Sequence, residues 1–170
     1  MAATRSLLNT ITSSCELALG CWPSAAALTT YLHHHIPLTA AMQLSVQTAS
    51  EQGLTLQLPL APNHNHQGTA FGGSLSTAAT VAAWSYLSGR LAANSLRAVV
   101  VVARAEQRFL APVAEDFVVQ ALAPSESDWA DFWCRLQHKG RASLTLTAEI
   151  KPNGELALVF EGRFHVSVIE

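Results

Sequence analysis

Charge is what this chain has least of. Asp, Glu, Lys and Arg make up 13% of its 170 residues, against roughly 25% in a typical soluble domain. A chain with so little charge is expected to hide part of its surface against a partner subunit. Twelve acidic and ten basic residues leave a net charge of -2, which points away from nucleic acid and from anionic membrane surfaces. Cysteine is scarce as well. Cys15, Cys21 and Cys134 form an odd set without metal-ligand spacing, so neither a disulfide framework nor a metal is expected, and the setting reads as reducing and cytoplasmic. A long apolar run is missing from the N-terminus. MAATRSLLNTITSSCELALG lacks the uninterrupted core of a secretory signal and the Arg richness of a transit peptide. Residues 1–23 are expected to form a flexible or loosely docked extension. Residues 24–170 are enough for one well-packed domain and not comfortably two.

What the chain has in quantity is apolar and small residues, and hydrophobic side chains reach 49%. The small ones concentrate in residues 71–88, FGGSLSTAATVAAWSYLS. That stretch reads as a helix, and it carries no charge at all. A surface helix shows an apolar stripe and a charged face; a helix without a charged face is expected to be buried on most sides. Its Ser, Thr and Gly content is too polar for a membrane span. The remaining reading is a central helix around which a sheet wraps.

The rest of the chain supplies that sheet. Residues 24–35 read as a helix started by Pro23 and Ser24 and stopped by Pro37. Within it, His33, His34 and His35 point about 100° apart and cannot share one metal. Residues 42–48 and 54–60 alternate apolar and polar, as a hairpin with one buried face does. Residues 97–110 form a long strand, with Val99, Val101, Ala103, Ala105 and Phe109 on one face and Arg104, Glu106 and Arg108 on the other. A strand over 115–121 follows. Residues 124–140 then make an ordinary amphipathic helix with Trp129, Phe132, Trp133 and Leu136 as its stripe. Strands over 142–150 and 156–168 complete the chain. Two strands before a buried helix and four after it give an α+β hotdog fold, an antiparallel sheet wrapped around a long central helix.

A polar loop, residues 62–69, sits just before the central helix. Gly72 and Gly73 fall in the first helical turn, where backbone N–H groups lack intrahelical partners. Those donors and the positive end of the helix dipole suit developing negative charge. Glycine lets a ligand come close to the backbone, although Gly-Gly could equally serve only to relieve crowding against the sheet. The clustering of Asn63, His64, Asn65, His66, Gln67 and Thr69 at the same end favours a site.

The run LAPNHNHQGTAFGGS, residues 60–74, resembles the signature of the YiiD-type putative thioesterase domain of the hotdog superfamily. RFLAPV, residues 108–113, is similar to that family's third strand, and the likeness spans roughly residues 25–169. The resemblance implies a homodimer, or a dimer of dimers, acting on acyl thioesters of coenzyme A or acyl carrier protein without a cofactor. It implies that the N–H of Gly72 or Gly73 polarises the thioester carbonyl. It also implies that a loop side chain, Asn63, Asn65 or His66, positions the water. His64, Thr69, Phe71 and Ser76 join Asn63 as candidate substrate contacts.

One departure bears on mechanism. Related hotdog thioesterases place Asp or Glu on the central helix nine residues after the aromatic or His preceding Gly-Gly. Counting nine from Phe71 reaches Thr80, and a neutral Thr is a poor general base. Gly73, Ser76 and Thr80 share one helical face, so Thr80 can hold a water, with Asn65 and His66 as its activators. Glu106 is the alternative base. Three other readings stay open: a non-catalytic acyl-CoA or fatty-acyl binding protein, a dehydratase on the same fold, and a metal enzyme built on His64 and His66. The last lacks the downstream Glu that a cupin-like site needs.

Overall fold

A computed structural model describes residues 17–169. The extension expected over residues 1–23 lies outside the described residues as far as Glu16. The elements in order are α1 (Ala25–His35), α2 (Pro37–Ala41), β1 (Ser45–Ser50), β2 (Gly53–Leu58), α3 (Gly72–Ala93), β3 (Ala98–Phe109), β4 (Phe117–Leu122), α4 (Glu126–Lys139), β5 (Arg141–Ile150) and β6 (Leu158–Val168). The six strands form one antiparallel sheet in the order β1-β2-β4-β5-β6-β3. The sheet wraps α3, which packs against all six strands. This is the hotdog arrangement the patterning predicts.

Small side chains make that wrapping possible. Ala78, Ala79, Ala82 and Ala83 of α3 are wholly buried, so strand side chains reach close to the helix backbone. The sheet meets them with Leu54, Leu56 and Leu58 of β2, Val119 of β4, Leu146 and Ile150 of β5, and Phe160 and Phe164 of β6, all buried. Burying each such side chain contributes about 1.5–3 kcal/mol. On α4, Ser125 caps the start by accepting from the Asp128 N–H, and Gly140 ends the helix at φ 64°. Its Trp129, Phe132 and Leu136 are buried as the stripe requires.

The structure departs from the sequence expectation at four places. α1 ends at His35 ahead of Pro37 as expected, but Pro37 also opens a second short helix, because proline suits the first helical position. Met42 and Leu44 are still buried, but β1 begins only at Ser45 because Gln43 sits at φ 53°. The central helix continues past residue 88 to Ala93 and so does carry one charge, Arg90, in its last turn. A cation there suits the negative end of the helix dipole. The largest departure is in β3. A bulge between Val102 and Arg104 breaks the register with β6, and one extra residue inverts the alternation. Ahead of the bulge, Ala98 and Val100 pack on the core while Val99 and Val101 are exposed. Beyond it, Gln107 and Phe109 reach α3. The face expected to be buried is therefore the outer one before Ala103. β3 is also the last strand of the sheet, so it presents an open edge of 12 residues.

Candidate functional site

The loop between β2 and α3 is held from inside by Asn63. Its side chain is 1% exposed. Nδ2 donates to Met42 O at 2.9 Å and to Pro59 O at 2.8 Å, the backbone carbonyl of Asn63 accepts from the Phe71 N–H at 2.7 Å, and Oδ1 is buried without a partner. Both amide hydrogens are used within the protein, so Asn63 clamps the loop through its donors. Leu60 N–H donates to Asp116 Oδ1 at 2.8 Å and fixes the other approach.

Asn65 closes the loop on itself. Its Oδ1 accepts from the N–H groups of Gln67 (2.8 Å) and Thr69 (3.3 Å), and Nδ2 donates to Thr69 Oγ1 at 3.0 Å. This is an Asx turn, a geometry Asn favours, and Gly68 completes it at φ 78°. Thr69 is half-buried as the partner of that turn. His64 is exposed and its Nδ1 lies 2.7 Å from Ala61 O. His66 is also exposed. Among the described residues no three His, Cys, Asp or Glu side chains gather as metal ligands.

Gly72 opens α3, and Phe71 precedes it as an N-cap in extended conformation without a side-chain cap. The first N–H groups of the helix therefore have no side-chain cap at the positive end of the dipole. The flanking segment 110–113 lies alongside, since Ala70 N–H donates to Val113 O at 2.7 Å. Between them is a shallow cleft of about 340 Å³, lined by Ala70, Gly72, Leu75, Phe109, Leu110 and Val113 among others. The two segments that carry the family resemblance, remote in sequence, thus form opposite walls of one cleft. A Cβ on Gly72 would sit 3.5 Å from the Phe109 ring, whereas one on Gly73 would overlap the Phe71 ring. Phe71 itself is 56% exposed, and its ring lies over Gly73.

Along α3 the same face carries Ser76 and Thr80, both half-buried. Ser76 Oγ lies 2.8 Å from Gly72 O and also contacts Gln107 Oε1, and Thr80 Oγ1 donates to Ser76 O at 2.9 Å. No carboxylate joins them: the ionisable side chains of α3 are Tyr86 and Arg90. Glu106 is exposed, pairs with Arg104, and lies on the strand face opposite Gln107. Gln107 is the polar residue that sequence alternation misses. The bulge at Ala103 reverses the pattern, and only the onset of charge after a valine run hints at it. A larger cleft of about 500 Å³ lies between α4 and β5, bordered by Asp128, Arg135, Ser143 and Arg163. None of the candidate site residues named from the sequence lines it.

Comparison with known proteins meets this geometry at several points. A protein of unknown function from Chlorobaculum tepidum is 28% identical, with a TM-score of 0.78 over 84% of this chain and 93% of that one. A putative thioesterase from Shewanella oneidensis is also 28% identical, with a TM-score of 0.76 over 85% of this chain and 97% of that one. A thioesterase from Haemophilus influenzae shares the fold at 12% identity, with a TM-score of 0.68 over 91% of this chain and 98% of that one. The family model described as "Putative thioesterase (yiiD_Cterm)" matches residues 25–168, which contain the loop, the uncapped start of α3 and the cleft beside it, and the chain belongs to that family.

Proposed function

We propose that the protein hydrolyses an acyl thioester of coenzyme A or acyl carrier protein, at the cleft beside the start of α3. The observation that carries this reading is the uncapped start of α3, whose first residue, Gly72, lines the cleft. Attack on a thioester carbonyl creates an oxyanion, and fixed donors aimed at it are often the largest catalytic contribution. The N–H groups of Gly72 and Gly73 supply them once Phe71 swings aside. His66, Asn65 and Thr80 serve the water, with Asn65 acting through the loop that it closes. His64, Thr69, Phe71 and Ser76 border the acyl thioester.

The working unit in this reading is a homodimer, or a dimer of dimers, joined through β3. Val99, Val101 and Val102 are 38–48% exposed on that edge strand, and a long apolar edge invites pairing. The cleft and the half-buried face of α3 lie beside this edge, so a second copy would cover both.

The test is a panel of acyl-CoA esters of increasing chain length, assayed for free thiol, with Gly73→Val as control. Thiol release that falls at least ~100-fold in the variant supports the helix-start oxyanion site. Unchanged turnover in Gly73→Val sinks it. A wild type that binds acyl-CoA without releasing thiol favours the non-catalytic binding reading instead.

A further inference from the structure

We propose that Gln107 holds the hydrolytic water in this site, in place of the carboxylate the helix lacks; the inference rests on the thioesterase reading above. Three observations converge on it. The bulge at Ala103 turns Gln107 toward α3, where it meets Ser76. Ser76 stands four residues after Gly72 and four before Thr80, so all three share one helix face. Gln107 is half-buried on the open edge strand, beside the cleft that Phe109 lines.

Proton counting then decides which way the amide faces. Ser76 Oγ is within hydrogen-bonding reach of two carbonyl oxygens, Gly72 O and Gln107 Oε1. A hydroxyl has one proton and serves only one of them. Exchanging the amide O and N of Gln107 removes that conflict, because side-chain amide orientation is assigned from its partners. Nε2 then donates to Ser76 Oγ, and Ser76 donates to Gly72 O. Oε1 is left as an acceptor with no partner on the helix. Thr80 has spent its proton on Ser76 O and likewise offers only lone pairs. Two acceptors on one neutral face orient a water by its protons and leave its lone pair for attack.

An amide is not a base, so the proton balance differs from that of a carboxylate enzyme. The water oxygen bonds to the carbonyl carbon, its proton passes to the His66 imidazole assigned to the water above and from there to solvent, and the C–S bond breaks. The departing sulfur takes a proton from solvent, giving acid and free thiol. Turnover is then expected to climb with pH without a limb in the carboxylate range.

The experiment compares Gln107→Met, Gln107→Glu and wild type on the acyl-CoA that wild type turns over best, from pH 5 to 9. Expected are a ~10–100-fold lower kcat in the Met variant with KM within about threefold, an unchanged Tm, and recovery in the Glu variant with a new acid limb. A Met variant with wild-type kcat overturns the assignment. So does equal loss in both variants that follows a lowered Tm, which would make the contact a structural tie. An active wild type with an unaffected Met variant refutes only Gln107. A wild type inert on every ester refutes the thioesterase reading and this inference with it.

Discussion

Replacing Asn63 with alanine removes the clamp beneath the loop. The side chain is 1% exposed, and its two donors are the partners of Met42 O and Pro59 O at 2.9 and 2.8 Å. Each net hydrogen bond contributes about 0.5–1.5 kcal/mol, and a carbonyl left buried without a donor costs about 1–3 kcal/mol. Relief of the unpaired Asn63 Oδ1 and partial hydration of Pro59 O offset part of this. The expected loss is roughly 2–4 kcal/mol. At a urea slope of about 2 kcal/mol/M that lowers the unfolding midpoint by ~1–2 M. Asn63→Asp tests the same geometry by pH. Two carbonyls facing a carboxylate favour its protonated form, so its pKa in the folded state rises above the ordinary ~3.9. A raised folded pKa means stability present below the unfolded value and lost as pH rises through the folded one. Asn63→Asp should therefore fall further below wild type at pH 7 than at pH 4. An Asn63→Ala protein within about 0.5 kcal/mol of wild type, well under the cost of one orphaned carbonyl, would refute the clamp.

Val101→Lys places a charge on the exposed edge of β3 and should convert a dimer to the 18.2 kDa monomer with loss of turnover; sedimentation of wild type as a stable monomer at micromolar concentration removes the premise. His66→Ala should lower kcat by about 10²–10⁴-fold at unchanged Tm while Glu106→Gln has little effect, and the reverse order restores a carboxylate mechanism through Glu106. Tyr86→Phe probes the core. Burial pushes the Tyr86 phenol up, against a smaller opposing pull from Arg90, and its hydroxyl donates to Glu51 O at 2.8 Å. The raised value means that its stabilising contribution is full below pH ~10 and drains away above it. The Phe variant should lose about 1 kcal/mol at pH 7 and show a shallower alkaline decline; parallel curves above pH 10 count against the buried phenol.

Local chemistry was legible in the sequence wherever one residue's properties decide the backbone. Ser24, Ser125 and Gly140 mark helix ends that the structure reproduces within a residue or two. The uncharged run from Gly72 onward announces a helix enclosed by a sheet, because a helix without a charged face has no favourable solvent side. The alternation in β2, β4, β5 and β6 names their buried faces, since period-two patterning survives while register is unbroken. The Gly-Gly pair marks the start of the central helix. Tertiary structure decided the rest. The bulge at Ala103 is a property of pairing with β6, and no residue type demands it, yet it reverses which side chains of β3 face α3. Asn63 reads as a candidate ligand contact among other polar loop residues until Met42 O and Pro59 O claim its amide. Gln107 meets Ser76 only because the sheet folds β3 back along the helix, 31 residues away. Sequence carries preferences of the local backbone; which polar group is left unpartnered depends on contacts between distant segments, and in this protein that is what places the chemistry.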